Sequence, residues 1–271
     1  ITSSQGSMAT VLSNAQVQSV GAGPANAARR IILDYGTLTN TNRDNSTDDI
    51  ITLIYRAIPI NASNCLNTNT RRNAITLEWN TAPNAQQLVT LSPLVTIREP
   101  SISVNKTFTP SSGDSATATR VRITVTAGSA PRSPAYNVAL SDVLSSTNFD
   151  YQGNLSHFSG VAPDSLNESS GTVSATWAQL NPGQSSSIEF DVRLQTGLPI
   201  GTTHSNTATA TWMSYPTAPT GVDTYNSLAV RRTGNTSDIG GSANNYSSNG
   251  SANFSNTAGL SKSVISTSHA H

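Results

Sequence analysis

The chain has 271 residues, no net formal charge and only 11% charged residues, less than half the share usual in soluble globular domains. A neutral surface of this kind argues against nucleic-acid binding, because that function requires a basic patch. No apolar stretch approaches the roughly 20 residues of a membrane helix, and the single cysteine, Cys65, excludes an internal disulfide framework.

Short runs that alternate apolar and polar residues recur along the chain, separated by turn-forming clusters such as NPGQSS. The run VRITV places Val121, Ile123 and Val125 on one face, and SIEFDVRL does the same with its apolar residues. This alternation is the period of a half-buried strand. Regular short strands with turn signals between them predict an all-β fold of tandem antiparallel Ig-like β-sandwich domains.

The sequence also repeats itself. A strand, a turn, a long alternating strand and a second turn precede the runs NAITLEW and NTATATW, which begin with Asn73 and Asn206. A lysine-bearing run follows each copy: SISVNKTF with Lys106, and AGLSKSVI with Lys262. The chain before Asn73 is shorter than the stretch from Lys106 to Asn206, so we expect the first domain to be incomplete.

This permuted order predicts four segments. Residues 1–98 would be the C-terminal part of a sandwich repeat, and residues 99–215 a complete repeat. Residues 216–257 would be a polar spacer rich in Gly, Ser and Asn. Residues 258–271 would be the first strand of a following repeat or a donor strand for another copy.

Three polar residues of the central repeat lie in register with apolar neighbours. Lys106 shares its strand face with the apolar residues of SISVNKTF, Asp142 with those of YNVALSDVL, and Asn206 with those of NTATATW. Lys106 and Lys262 are the only lysines in the chain, although lysine is normally a common surface residue. The pattern predicts that these polar side chains point into the core from an early, a middle and a late strand.

A buried Lys, Asp and Asn suit the spontaneous formation of a Lys–Asn isopeptide bond. Burial disfavours the charged forms of Lys and Asp, so a neutral amine becomes a nucleophile while a protonated carboxyl polarises the amide and passes protons to the departing ammonia. Lys106, Asp142 and Asn206 are the predicted set, and Lys262 with Asn73 is the predicted pair across a joint between domains or subunits. A Lys–Asp pair with a hydrogen-bonded Asn would satisfy the same groups without reacting, and this alternative stays open.

The runs EPSISVNKTFTPSSGDSATATRVRITVT, YNVALSDVL, LNPGQSSSIEFDVRL and SNTATATW resemble the repeated β-sandwich domains of very large bacterial surface proteins. That family is known as domain of unknown function eleven and overlaps the isopeptide-forming fimbrial-type repeats. Its lysine, aspartate and asparagine positions fall at Lys106, Asp142 and Asn206. The resemblance implies a stalk-like or fibrous role at the bacterial cell surface, with adhesion in some members. The first domain departs from the pattern, because it offers Asn73 no lysine and no clear aspartate.

This departure in the first domain leaves two assemblies open. Neighbouring repeats of a giant polypeptide would supply the missing strands. Alternatively, the tail AGLSKSVISTSHAH of one subunit would complete the front domain of the next by strand addition, in a head-to-tail filament. One tail strand would not replace every missing strand, so the giant repeat protein is favoured.

Loop carboxylates form a further candidate site, at Asp44, Asp48 and Asp49 in NTNRDNSTDDI. Carboxylate oxygens are ligands that Ca²⁺ takes, but the spacing is not that of a recognised calcium loop, so a solvated turn is favoured. No other cofactor is predicted, and nothing assembles a site for enzymatic turnover.

These features predict a non-catalytic structural segment of an extracellular bacterial surface fibre or stalk. Its partners would be neighbouring copies or repeats joined head-to-tail. The alternative is an adhesin module that binds a glycan or protein ligand through loops at one sandwich end, with or without Ca²⁺.

Overall fold

The structure, a computed structural model, describes residues 57–79, 86–218 and 227–258, together with the backbone of four short strands before residue 57. Strands and turns make up almost all of the described residues, whose one helix is a single 3-10 turn, Gly241–Asn244. None of them belongs to a helix long and apolar enough to cross a membrane. The predicted all-β class, built from antiparallel sheets, is confirmed.

The first eight strands form small two-stranded antiparallel sheets, in the pairs β1–β4, β2–β3, β5–β8 and β6–β7. Their bounds are β1 Thr2–Ser3, β2 Gln16–Val20, β3 Ala28–Ile32, β4 Ile51–Thr52, β5 Thr70–Arg71, β6 Ala74–Trp79, β7 Gln86–Leu91 and β8 Val95–Thr96.

The remaining strands form two sheets that pack as a sandwich. One sheet has six strands in the order β10-β18-β17-β12-β15-β14, and the other has four in the order β13-β16-β11-β9. Their bounds are β9 Ile102–Thr109, β10 Ser112–Gly113, β11 Thr119–Ala127, β12 Ala135–Val143, β13 Phe149–Gly160, β14 Ser165–Ser169, β15 Thr172–Leu180, β16 Ser185–Leu194, β17 Thr203–Met213 and β18 Ser247–Asn256.

The core lies between these two sheets and follows from the alternation in the sequence. In β11, every second residue is buried, as expected for a strand with one face on the core. Trp177, Phe190 and Phe254 are the largest fully buried side chains, and each such side chain contributes on the order of 1.5–3 kcal/mol when it leaves water. The core therefore depends on both sheets, including the late strand β18.

Strand β18 differs from the predicted spacer. Within residues 216–257, Ser247–Asn256 pairs antiparallel with β17, from Ser247 opposite Thr211 to Ser255 opposite Thr203. Its sequence, SSNGSANFSN, carries one large apolar residue, Phe254, so it shows little hydrophobic periodicity. Backbone pairing and small inward residues hold it in the sheet instead.

A network of buried polar contacts joins the loop before β5 to the segment before β18. Arg232 is 4% exposed, forms an ion pair with Glu99 and donates to the carbonyl oxygens of Ala62 and Cys65, each at 2.8 Å. Glu99 also accepts a hydrogen bond of 2.7 Å from the backbone N–H of Asn67. Buried polar contacts therefore connect the segment before β18 both to that loop and to the chain that leads into β9.

Replacing Arg232 with methionine is expected to destabilise this junction by roughly 3–5 kcal/mol, because it leaves the partner carboxylate of Glu99 buried without its cation. Hydrogen exchange should show faster exchange in residues 61–69, where the contacts are lost, than in the wild-type chain. Arg231→Met is the matched control, since Arg231 reaches only the carbonyl oxygen of Pro216, at 3.3 Å and exposed. Equal exchange in the two variants would contradict the assigned role of Arg232.

Candidate functional site: a buried lysine, aspartate and asparagine

The structure brings Lys106, Asp142 and Asn206 together inside the sandwich. Lys106 lies on β9 of the four-stranded sheet, whereas Asp142 and Asn206 lie on the neighbouring strands β12 and β17 of the opposite sheet. The lysine side chain crosses the core, and its Nζ donates to Asp142 Oδ2 and to Asn206 Oδ1. All three residues are buried, and the Lys106 and Asp142 side chains have no exposed surface. Strand alternation is what places each of them on an inner face.

The amide of Asn206 is held in one orientation. Its oxygen faces Lys106, and its Nδ2 donates a hydrogen bond of 2.8 Å to the carbonyl oxygen of Val143. The carbon of the amide therefore lies next to the lysine nitrogen, while the amide nitrogen points to the other side. Displacement of ammonia requires the amine to move from the amide oxygen onto this neighbouring carbon.

Aromatic rings surround the lysine nitrogen. Lys106 Nζ lies 5.8 Å from the ring centre of Phe108 and 6.0 Å from that of Phe190. Phe108 stacks on Phe149 at 5.3 Å and meets Phe254 edge-on at 5.9 Å. Burial among these rings lowers the pKa of Lys106, although the neighbouring charge of Asp142 partly opposes the shift. The lowered pKa favours the neutral, nucleophilic form of the Lys106 amine.

One carboxyl oxygen of Asp142 has no hydrogen-bond partner. Oδ2 contacts the lysine, whereas the buried Oδ1 is unpaired in the part of the chain that the structure describes. An unpaired buried acceptor is costly, by about 1–3 kcal/mol, and a proton on this carboxyl would reduce that cost. The carboxyl contacts the Lys106 amine directly and is therefore suited to exchange a proton with it.

The second predicted pair is not assembled in the described residues. Asn73 is exposed immediately before β6, where its N–H donates to Ser92 Oγ at 2.9 Å and its carbonyl oxygen accepts from the Ser92 N–H at 2.8 Å. Its predicted partner, Lys262, lies outside the described residues. The predicted core face beyond it is also exposed, since Leu77 is 51% and Trp79 is 44% exposed.

The calcium candidates Asp44, Asp48 and Asp49 lie outside the described residues as well. Among residues 57–79, 86–218 and 227–258, no group of three His, Cys, Asp or Glu side chains could hold a metal ion.

Sequence reasoning missed the strand that borders the site. The inward residues of β18 include Gly250, Ala252 and Phe254, and Phe254 contacts Phe108 beside the lysine. Their period of two is a strand signal, but two of the three are the smallest residues and carry almost no hydrophobic contrast.

Comparison with known proteins gives a structural likeness only. Neither protein-family models nor curated proteins match the chain. Among solved structures it is similar to BcpA, the major pilin subunit of Bacillus cereus (13% identity, 48% of this chain, 45% of that chain, TM-score 0.33). It is also similar to the major pilin SpaD of Corynebacterium diphtheriae (15% identity, 41% of this chain, 30% of that chain, TM-score 0.32). A third similar structure is a 35 kDa C-terminal fragment of the major pilin GBS80 of Streptococcus agalactiae (10% identity, 42% of this chain, 49% of that chain, TM-score 0.31). The chain spans less than half the length of each of these three, and likeness at this level assigns it to no family.

Proposed function

We propose that this chain is a structural, non-catalytic segment of an extracellular bacterial fibre or stalk, and that an isopeptide bond between Lys106 and Asn206 clamps its sandwich. The observation that carries the proposal is the contact of the Lys106 amine with both Asp142 and Asn206 in a buried, aromatic-lined site. The sequence resemblance to repeated surface domains supports the same location and role. The bond forms once in each molecule, so the chain is a substrate of its own chemistry rather than an enzyme.

The reaction balances within the three side chains. Asp142 takes a proton from the Lys106 ammonium, and the neutral amine attacks Cγ of Asn206. In the tetrahedral intermediate, the protonated Asp142 gives its proton to the former amide nitrogen and takes one from the attacking nitrogen, so it ends the reaction protonated. The bond from Cγ to Nδ2 then breaks and ammonia leaves, so the product is a secondary amide that joins β9 to β17.

A cross-link at these positions would shield the sandwich from tension. Lys106 and Asn206 lie 100 residues apart in the chain, on the first long strand of the sandwich and on a late one. Force applied at the chain ends would pass through the amide instead of unravelling the strands between them. A stalk or fibre is the setting in which such a clamp has a use.

Single-molecule stretching tests this role. In the wild-type chain, the residues between the two linked positions bear no force, so they are expected to add nothing to the extension of the stretched chain. In a Lys106→Arg variant, which cannot form the amide, we expect an additional release of roughly 330–360 Å from the 100 residues of the loop. Equal total extension in the two chains would contradict the mechanical proposal.

The hairpin β6–β7 supports a head-to-tail joint as part of this function. Its exposed apolar residues include Leu77, Trp79, Leu88 and Val89, and an isolated two-stranded hairpin is at best marginally stable in water. We propose that a neighbouring repeat, or the tail strand of another copy, covers it and brings Lys262 towards Asn73.

Denaturing electrophoresis of the full chain distinguishes these two partners. A ladder of covalent oligomers that disappears in both Asn73→Ala and Lys262→Arg would support a joint between subunits. A single monomeric band would rule out a covalent joint between separate copies and would favour the neighbouring repeat of a longer polypeptide as the partner.

A further inference from the structure

Strand β18 closes the edge of the sandwich beside the reactive residues. In the six-stranded sheet it lies between β17 and the short strand β10. It also reaches the opposite sheet, because Gly250 lies against Val104 of β9 and Phe254 meets Phe108 of the same strand. β18 therefore spans the gap between the strand that carries the lysine and the strand that carries the asparagine.

One residue of β18 lies directly beside the asparagine. Ala252 is the register partner of Asn206 in the antiparallel pair β17–β18. Directly opposed residues share a face of the sheet, with Cβ atoms about 4.5–5.5 Å apart. Ala252 is partly buried and packs against the core. It therefore occupies space that water would otherwise take next to the amide.

The close approach of β18 to β9 requires a glycine. A Cβ atom at Gly250 would lie 2.6 Å from the carbonyl oxygen of Val104 and 2.8 Å from its carbonyl carbon and Cγ1. These distances are shorter than non-bonded contacts allow, and two of the atoms belong to the backbone. Any side chain at this position would push β18 away from β9 and open the edge of the site.

Contacts at both ends fix β18 in place. At its start, Tyr246 stacks on Trp212 with ring centres 5.6 Å apart, and the N–H of Trp212 donates to the carbonyl oxygen of Tyr246 at 3.1 Å. At its end, Asn256 Nδ2 donates to the carbonyl oxygens of Leu198 and Pro199 at 3.0 and 2.9 Å. These contacts hold both ends of β18 against the rest of the sandwich.

We propose that β18 is a positioning element for the isopeptide reaction, and that its docking through Gly250 excludes water from Lys106 and Asn206 and so allows the bond to form at neutral pH. This inference rests on the proposed function and goes beyond it, because it assigns part of the reaction to a strand that supplies no reacting atom.

The physical reason lies in the protonation of the amine. Burial is the main cause that lowers the pKa of Lys106, and opening the β18 edge would let water reach the ammonium and return that pKa towards its ordinary value. Below the pKa, the neutral fraction of an amine rises about tenfold for each pH unit. An open site should therefore react slowly near neutrality and recover as the pH rises.

No other charged group near Lys106 would reverse the expected slowing of bond formation near neutral pH. Asp142 on β12 is the charged group in contact with Lys106, and β18 carries no titratable side chain. His204 on β17 shares the face of Asn206, and its Nε2 is hydrogen-bonded to Thr202 Oγ1 at 2.8 Å. The charged side chains of β11 and β16 project from the outer face of their sheet and are Arg120, Arg122, Glu189, Asp191 and Arg193.

The test follows bond formation in the full chain by intact mass, at intervals after cell-free synthesis, near pH 7 and near pH 9. Gly250→Val is compared with Asn249→Val, which places a valine one residue earlier, on the exposed face. Wild type and Asn249→Val should lose about 17 Da rapidly at both pH values. Gly250→Val should react at least about tenfold more slowly near pH 7, and its rate should rise about tenfold per pH unit.

Two results would overturn the inference. In one, Gly250→Val reacts at the wild-type rate near pH 7. In the other, it is equally slow at both pH values, which would indicate general misfolding rather than access of water. If circular dichroism shows that Gly250→Val is unfolded, Gly250→Ala is tested by the same two criteria. Its rate of bond formation near pH 7 is expected to lie between those of the wild type and an open site. Failure of the wild-type chain to lose ammonia would instead refute the proposed function itself.

Discussion

The variant Lys106→Met is expected to keep the mass calculated from its sequence and to lose about 4.7 kcal/mol of stability relative to the cross-linked chain. The magnitude is that of a covalent link closing a loop of about 100 residues, which acts mainly by restricting the unfolded chain. Methionine fills a similar volume, so the core is not emptied, but Asp142 loses its buried partner and adds to the loss. Intact mass and denaturant unfolding of the two chains measure both effects.

Arg193→Met is the matched control, because it removes an exposed cation from β16 of the same sandwich. It should lose ammonia like the wild type, and its free energy of unfolding should change by less than about 0.5 kcal/mol. Equal free energies of unfolding for Lys106→Met and the wild type would contradict the proposed Lys106–Asn206 cross-link.

The variant Asp142→Asn is expected to slow bond formation by about 10²–10⁴-fold, the usual contribution of a positioned acid–base group. The substitution keeps the size of the side chain and removes both its charge and its capacity to carry a proton between Lys106 and Asn206. The Lys106 amine would then have no adjacent base, and the departing amide nitrogen no adjacent acid. A time course of intact mass after synthesis measures the rate.

Asp191→Asn provides the comparison, since Asp191 pairs with Arg120 on the outer face of the four-stranded sheet. Its rate of bond formation should equal that of the wild-type chain. If Asp142→Asn reacts as fast as Asp191→Asn, the carboxyl has no role in the chemistry, and proximity of the amine to the amide would have to be sufficient.

Strand alternation is a local signal, and it accounts for the inward-facing positions of the three residues at the central site. Once SISVNKTF, YNVALSDVL and NTATATW are recognised as strands with one apolar face, Lys106, Asp142 and Asn206 must lie on that face. Their meeting at one point depended on strand order and register, which the repeat and the family resemblance indicated but did not determine. The structure supplies that register, with Asp142 opposite Ala208.

The same alternation was less informative at Asn73. It groups Asn73 with Leu77 and Trp79 on one face, but parity along a strand does not reveal whether anything covers that face. In the structure these residues are exposed on a two-stranded hairpin. Coverage depends on partners distant in the chain or on another chain.

The late segment was the least predictable part of the fold. Its composition is that of a spacer, yet Ser247–Asn256 completes the sheet and Arg232 pairs with Glu99. Arg232 and Glu99 lie 133 residues apart, and neither belongs to a periodic run. Small residues and backbone hydrogen bonds stabilise this segment, and neither produces a recognisable hydropathy pattern.

The central claim is tested most directly by the mass of the wild-type chain and of its peptides. The account predicts an intact mass about 17 Da below that of the sequence for each bond formed. It also predicts a branched peptide, after proteolysis, in which the strand of Lys106 is joined to the strand of Asn206. A mass equal to that of the sequence, with Lys106 and Asn206 recovered in separate peptides, would contradict it.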